Sequence, residues 1–382
     1  MRVADEEADV LIVGAGVVGL SVAERLSRAP RRIVVVERND AFGRETSSRN
    51  SEVIHCGMYY GPQMQKTTLC VRGNPLLYET CTRAGIPHRK TGKLVVAVDS
   101  SEEAALEALL QRGTGNGVPG LRLVGSRELA DLEPSVGGTR ALWSPESGIV
   151  DSHALMSYLY ETARSRGVTF GFGCAARTVT KAGAGYEVDL VDSDGGPLVL
   201  RSACVVNSAG LGSDRIAQSA GIDVEAAGYR IHPAKGEYFR IASRHRGRLS
   251  HLVYPVPSDS HLGAHAVLGL DGSLKIGPNS IPGSLDDYTV DPSHGPEFFR
   301  KAVRFLPFLE PADLTPDMAG LRPKLAPLCE PLRDFVIREE SDRGLPGLVN
   351  LVGMESPALT SCLAIAEVVE GLLGLSPSSP FA

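Results

Sequence analysis

The sequence predicts an α/β fold: a discontinuous, Rossmann-like domain wound on a parallel sheet, joined to a second, mainly antiparallel β domain of α+β character. Three observations predict it. The first half alternates apolar strand runs with amphipathic helices. From about residue 228 to 337 strands dominate, and prolines and glycines become frequent. A last apolar run, Gly347 to Val352, then leads into a long helix from about Pro357 to Leu373, which returns the chain to the first domain. The expected division is 1–90, 148–227 and 330–382 for the first domain, with 91–147 and 228–329 for the second.

The first strand is expected over 9–14, a helix over 15–28 and a second strand over 32–37. Between strand and helix lies Gly14-Ala15-Gly16-Val17-Val18-Gly19, and each glycine has a mechanical task. Gly14 permits the turn, Gly16 admits a pyrophosphate close to the backbone, and Gly19 lets the helix sit near the sheet. The helix start, including Val18, supplies N–H groups and partial positive charge to an anion. Glu37 follows Gly19 by 18 residues, where a carboxylate can accept from ribose hydroxyls, with Arg38 beside it. A glycine turn with a strand before it, a helix after it and a correctly spaced acid indicates an adenine dinucleotide.

Further along, Thr46 to His55 reads as a helix capped by Thr46 or Ser47, and 66–84 as a helix ended by Gly85 and Pro87. A strand is expected at 92–98, helices at 101–112 and 152–166, and a strand at 168–170. Tyr186–Val191 and Pro197–Leu200 alternate like a hairpin around Asp194-Gly195-Gly196. Cys204 to Gly210 reads as a buried strand ending in small residues, where a dinucleotide would lie. In the second domain strands are expected at Glu237–Ile241, His251–Pro255, Ala264–Leu268 and Leu274–Gly277. Residues 376–380 read as a short disordered end.

Composition excludes several classes. The 382 residues suffice for about two domains, each with its own core. A net charge of −6 and a single tryptophan, Trp143, argue against a nucleic-acid surface. The 7 cysteines are odd in number and form no CxxC pair, which fits reduced thiols and neither a disulfide framework nor a metal site. No apolar run approaches the ~20 residues of a membrane span, although peripheral membrane contact stays open. The first strand follows Asp5-Glu6-Glu7 so closely that neither a secretory nor a transit segment is expected within this sequence. The expected compartment is intracellular, cytoplasmic or mitochondrial.

Three segments favour a flavin, FAD, over a nicotinamide. Thr46, Ser47, Ser48, Asn50 and Ser51 offer hydroxyls and an amide just after the second strand. Ala209 and Gly210 end the strand from Cys204. Gly353, Met354, Ser356, Leu359 and Thr360 open the last helix, whose N-terminus can stabilise negative charge on a reduced flavin.

The segment Glu45-Thr46-Ser47-Ser48-Arg49-Asn50-Ser51-Glu52-Val53-Ile54-His55-x-Gly57-x-Tyr59-Tyr60 resembles the signature of the L-2-hydroxyglutarate dehydrogenases, FAD enzymes of the D-amino-acid oxidase and glycine oxidase superfamily. The resemblance continues through Gly92-Lys93-Leu94, Ser147 to Met156, Lys235-Gly236-Glu237-Tyr238, Gly320-Leu321-Arg322-Pro323-Lys324 and Gly353-x-Glu355-Ser356-Pro357, and so spans nearly the whole chain. It implies oxidation of a 2-hydroxy acid to a 2-keto acid by hydride transfer to flavin N5. Electrons would pass to a quinone, an electron-transfer flavoprotein or oxygen. Cys56, Met58, the loop Gly61 to Gln65 and Met354 depart from the pattern, and these departures bear on the substrate more than on the cofactor.

The implied reaction needs a base near neutral pH and cations for carboxylates. His55 is the first candidate base and His265 the second, each also readable as a structural histidine. Arg322 suits bidentate carboxylate recognition, and Lys235 can reach flavin or carboxylate. Tyr59 and Tyr60 either close the pocket or pack in the core. Glu355 either bonds substrate or positions the last helix. Lys66 and Arg72 read as solvated helix charges, and Cys56 as a buried thiol more than a flavin attachment point. An amine or amino-acid oxidase, a specialised-metabolite oxidase and a non-catalytic FAD binder are the competing readings.

Overall fold

A computed structural model describes residues 7–257 and 264–375. The expected disordered end at 376–380 and part of the acidic start lie outside them. The parallel centre of the first sheet runs Thr169–Phe172, Ile33–Glu37, Glu7–Val13, Pro197–Asn207 and Leu345–Val352. The apolar runs of the four inner strands, Ile33–Glu37, Glu7–Val13, Val205–Asn207 and Leu348–Val352, are largely buried, which is the physical basis of their unbroken hydrophobicity. Val336–Glu340 adds antiparallel to Leu345–Val352, and the pair Ala175–Ala182 and Gly185–Val191 adds at the other branch.

Pro197–Asn207 is one strand, where two separate strands were expected. Its first half pairs with Gly185–Val191 as the second arm of the hairpin. Its last residues, Val205 to Asn207, pair instead with Leu348 to Asn350. Polar Arg201 and Ser202 do not break it, because both stay in register beside Glu7 and Ala8.

The helices Val17–Leu26, Gln65–Ala84, Ser152–Ser165 and Ala358–Leu372 share one apolar cluster with the sheet. Gly73 allows two of them to touch: a Cβ there would meet the Thr360 carbonyl at 2.4 Å. This contact brings the last helix across the start of the chain and positions the residues before it.

Among the described residues the second sheet has 9 strands. His232–Ile241 pairs antiparallel with Leu314–Lys324 along its length, and Leu274–Gly277, His265–Leu268 and Leu252–Pro255 follow. Lys93–Ala97 then joins Leu252–Pro255 in parallel, the one departure from the expected antiparallel pattern along this path. Among the described residues no helix is long and apolar enough to cross a membrane.

The expected helix over Thr46–His55 does not form. Only Thr46–Ser48 makes a single 3-10 turn, and Val53–Ile54 is a short strand. Asn50 explains the stop: its amide donates to the Ser47 carbonyl at 2.8 Å, and its Oδ1 accepts from Glu52 N at 2.7 Å. This side chain competes with the helical ladder for the same groups. Glu52 then adopts a left-handed φ of 55°, and Val53–Ile54 pairs antiparallel with Gly148–Val150 in a small third sheet.

Candidate active site

The carboxyl ends of the parallel strands open onto a cavity of about 720 Å³, within the range of small-molecule sites. It is elongated and chemically different at its two ends.

One end is built from main chain and small residues. Gly14 has φ +100°, and a Cβ there would lie 2.6 Å from the Ser208 carbonyl oxygen. At Gly16 a Cβ would lie 2.9 Å from Ser47 Oγ, and at Gly19 it would reach the Gly14 carbonyl at 2.0 Å. The first two glycines keep the cavity floor low, whereas Gly19 acts beneath it by bringing helix to sheet. Ser47 Oγ accepts from Val17 N at 3.0 Å, so the turn after the second strand braces the helix start. Glu37 is buried and lines the cavity, with Oε2 accepting from Ala15 N at 2.8 Å and Oε1 from Asn39 N at 2.9 Å. Arg38 lies at the rim, where Glu45 clamps its guanidinium with contacts of 2.7 and 2.6 Å. Asn50, Ser51, Ala209 and Gly210 line the middle.

The other end is built from side chains drawn from distant strands. His55 is held through its main chain: its N–H donates to Thr360 Oγ1 at 3.0 Å, and its carbonyl accepts from Asn74 Nδ2 at 2.9 Å. Its ring lies edge-on to Tyr59, with centroids 6.4 Å apart, and Nε2 is 3.4 Å from Ser356 Oγ. The ring keeps some accessible surface, and that surface faces the cavity. Burial, followed by Lys93 and His265, holds its pKa well below the usual histidine value. His265 sits on the cavity wall with its ring stacked on Tyr254 at 3.7 Å.

Cations dominate this end. Arg322 lines the cavity, and its Nη2 donates to the Asn279 carbonyl at 2.7 Å and to the Lys235 carbonyl at 3.4 Å. Among the described residues its buried Nε has no hydrogen-bond partner, and neither has that of Arg49, another lining residue. Lys324 and Glu355 also line the cavity. The Glu355 carboxylate is 2.8 Å from Lys66 Nζ and 3.1 Å from Lys324 Nζ. Burial raises the Glu355 pKa, but Lys66 and Lys324 outweigh it and hold the group ionised. One carboxylate thus faces two lysines and Arg322. The surplus positive charge suits an acidic ligand, whose carboxylates cannot be buried unpaired.

Most of the expected residues meet at this cavity, and a few do not. Lys235 is turned away, its Nζ 2.8 Å from Asp287 Oδ2. It meets the site only through its carbonyl on Arg322. Thr360 is fully buried and grips His55 from behind. Ser48 bonds back to the Glu45 carbonyl, and Gly353, with φ +77°, shapes the turn. Neither is part of the wall. Lys66 corrects an expectation: it is 1% exposed and salt-bridged, whereas a solvated helix charge was expected. Arg72 does lie at the surface, paired with Glu367. Cys56 is buried against Ser144 and is not among the lining residues. Sequence reasoning missed Arg49, Tyr254 and Lys324, because only the fold brings these distant segments together. Lys93 was missed too, although a lysine heading the apolar run Leu94-Val95-Val96-Ala97 is itself a signal.

The profile of the FAD dependent oxidoreductase (DAO) family matches residues 9–372. The chain is 38% identical to the mitochondrial L-2-hydroxyglutarate dehydrogenase of Arabidopsis thaliana, over 96% of this chain and 83% of that protein. It is 29% identical to that of Caenorhabditis elegans, over 94% of this chain and 92% of the relative. The solved FAD-bound, dithionite-reduced L-alpha-glycerophosphate oxidase of Mycoplasma pneumoniae superposes with a TM-score of 0.85 at 26% identity, covering 96% of this chain and 95% of that one.

Proposed function

Since this chain belongs to the FAD dependent oxidoreductase family and groups within it with the L-2-hydroxyglutarate dehydrogenases, we propose that it oxidises L-2-hydroxyglutarate to 2-oxoglutarate. The observation that carries this reading is the two-ended cavity: a glycine cradle at one end, and at the other a partly buried histidine and two arginines whose Nε atoms are unpartnered among the described residues.

The residues present fit FAD. The cradle at Gly14 and Gly16 would be filled by any Cβ, and Glu37 stands at the end of the second strand, where a ribose binds. The turn Thr46–Ser48 and the start of the last helix would flank the flavin. When bound, FAD supplies the hydride acceptor. All other work falls to the chain. Arg322 and Arg49 offer planar forks for the substrate carboxylates. Their buried Nε atoms cost stability while unpaired, and a carboxylate removes that cost. His55 accepts the proton of the 2-hydroxyl, since its depressed pKa leaves the imidazole neutral at pH 7. Carboxylates placed nearby raise that pKa toward working pH, which improves the base when substrate is bound. Tyr59, Tyr254 and the stacked His265 wall the end with rings and limit water.

The test is the visible spectrum of the purified protein, titrated without oxygen by a panel of 2-hydroxy and 2-amino acids. L-2-hydroxyglutarate is expected to bleach the flavin band and yield one 2-oxoglutarate per flavin. Bleaching by an amino acid but not by L-2-hydroxyglutarate would overturn the assignment.

A further inference from the structure

A buried cation lies against the two tyrosine rings that contact the histidines. Lys93 begins the strand Lys93–Ala97 and is fully buried. Among the described residues its ammonium has no hydrogen-bond partner. What it meets is ring faces: Nζ lies 4.0 Å from the Tyr254 ring centre and 5.2 Å from that of Tyr59. Those rings are the ones that contact the histidines, Tyr254 by stacking on His265 and Tyr59 edge-on to His55. Their hydroxyls are buried and unpartnered as well.

Among the described residues, no carboxylate pairs with this charge. Cys56 hydrogen-bonds with Ser144, and Cys70 points its thiol at the His55 carbonyl. Burial pushes the Cys70 thiol well up, so it stays neutral. Ser356 and Thr360 meet His55 with neutral hydroxyls. The carboxylate of Glu355, next to Ser356 in the chain, is committed to Lys66 and Lys324. A desolvated ammonium facing only quadrupoles acts at longer range than one paired in place, because the low-dielectric surroundings screen it poorly.

On the reading that His55 takes the hydroxyl proton of a bound dicarboxylate, we propose that Lys93 is the positioning residue for that transfer. Its trapped charge holds the empty-site imidazole as the free base, and the arriving carboxylates offset that charge so that the imidazole can accept a proton. Lys93 keeps its own protons throughout; the one that moves passes from the substrate oxygen to the His55 ring. Two directions support this arrangement. Burial lowers Lys93 to about 8, which leaves it charged at neutral pH. Burial and then the nearby Lys93 charge hold His55 below its ordinary value.

The test is a pH titration of the histidine rings by nitrogen NMR on the FAD-loaded protein, with His55 assigned through His55→Gln. In the parent, His55 is expected to stay neutral until well below pH ~6.5, the ordinary histidine value. In Lys93→Met it should titrate about one pH unit higher, the size expected for removing one nearby like charge. In Lys93→Arg it should stay close to the parent. The acidic limb of kcat/KM should move by the same interval in Lys93→Met. A parent His55 that titrates at or above ~6.5, or an identical titration in Lys93→Met, overturns the proposal. The parent measurement decides even if the variant fails to fold. Since no substrate is added, an enzyme inert to L-2-hydroxyglutarate whose His55 still shifts refutes the substrate assignment while supporting the charge coupling.

Discussion

The two ends of the cavity are made by different means. The dinucleotide end is a main-chain device: Gly14, Gly16 and Gly19 keep atoms out, and Ser47 and Glu37 tie the turn together within the first 47 residues. The reacting end is a side-chain device. His55, His265, Arg322 and Glu355 come from four separated segments, and His55, Arg322 and Glu355 are held by partners far away in sequence. The first kind of site tolerates little change in shape. The second tolerates shape changes better than changes of charge.

That contrast can be broken from either side. The largest effect is expected at His55. His55→Ala removes the proposed base yet leaves the cradle intact, so the protein should stay yellow while anaerobic reduction by L-2-hydroxyglutarate slows by about 10²–10⁴-fold. Stopped-flow absorbance checks this, and an unchanged rate removes His55 from the role. Gly14→Ala should do the reverse. It places a Cβ 2.6 Å from the Ser208 carbonyl at φ +100°, so the protein should purify largely colourless. Full flavin content would show that the turn yields more than its geometry suggests.

A third, smaller break concerns the buried ion cluster. Glu355→Gln leaves Lys66 and Lys324 without their counter-charge. Removing one partner of a buried pair costs about 3–5 kcal/mol, so thermal unfolding should move down by several degrees. The same cluster gives stability an acid limit. Glu355 is held below its ordinary value, so its contribution is complete above about pH 4.3 and is lost as pH falls through the lower folded value. Denaturant midpoints measured from pH 7 down to 3 check the sign, and in Glu355→Gln this part of the slope should vanish.

The smallest effect is at Arg322. Arg322→Lys keeps the charge and loses the fork, so about 1.5–3 kcal/mol of charged hydrogen bonding is at stake. KM should rise roughly tenfold to a hundredfold with kcat less affected. An unchanged KM would take the carboxylate away from Arg322.

The same contrast explains what the sequence made legible. The glycine turn, its strand and Glu37 are local, and propensity and spacing were enough to find them. The long helices and most strands of the second sheet were legible for the same reason. Thr46–His55 was misread as a helix because Asn50 captures the backbone groups that a helix needs, a competition that periodicity does not register. Lys66 was misread because its position in a helix suggests solvent. Its partner, Glu355, lies 289 residues away, and only the tertiary fold reveals that the lysine is sealed in. Lys235 was misread in the opposite sense, since Asp287 draws its ammonium away from the cavity. Charged residues near the reacting end are assigned by long-range pairing, and for them sequence supplies the candidates but not their partners.

The central claim is that one cavity holds FAD in a main-chain cradle and selects a doubly charged hydroxy acid with buried cations. The most direct measurement compares kcat/KM for L-2-hydroxyglutarate with that for L-2-hydroxybutyrate, which keeps the reacting carbon and lacks the distal carboxylate. The account predicts a preference for the dianion of at least about tenfold, the equivalent of one charged hydrogen bond of ~1.4 kcal/mol. Equal values for the two acids would contradict it.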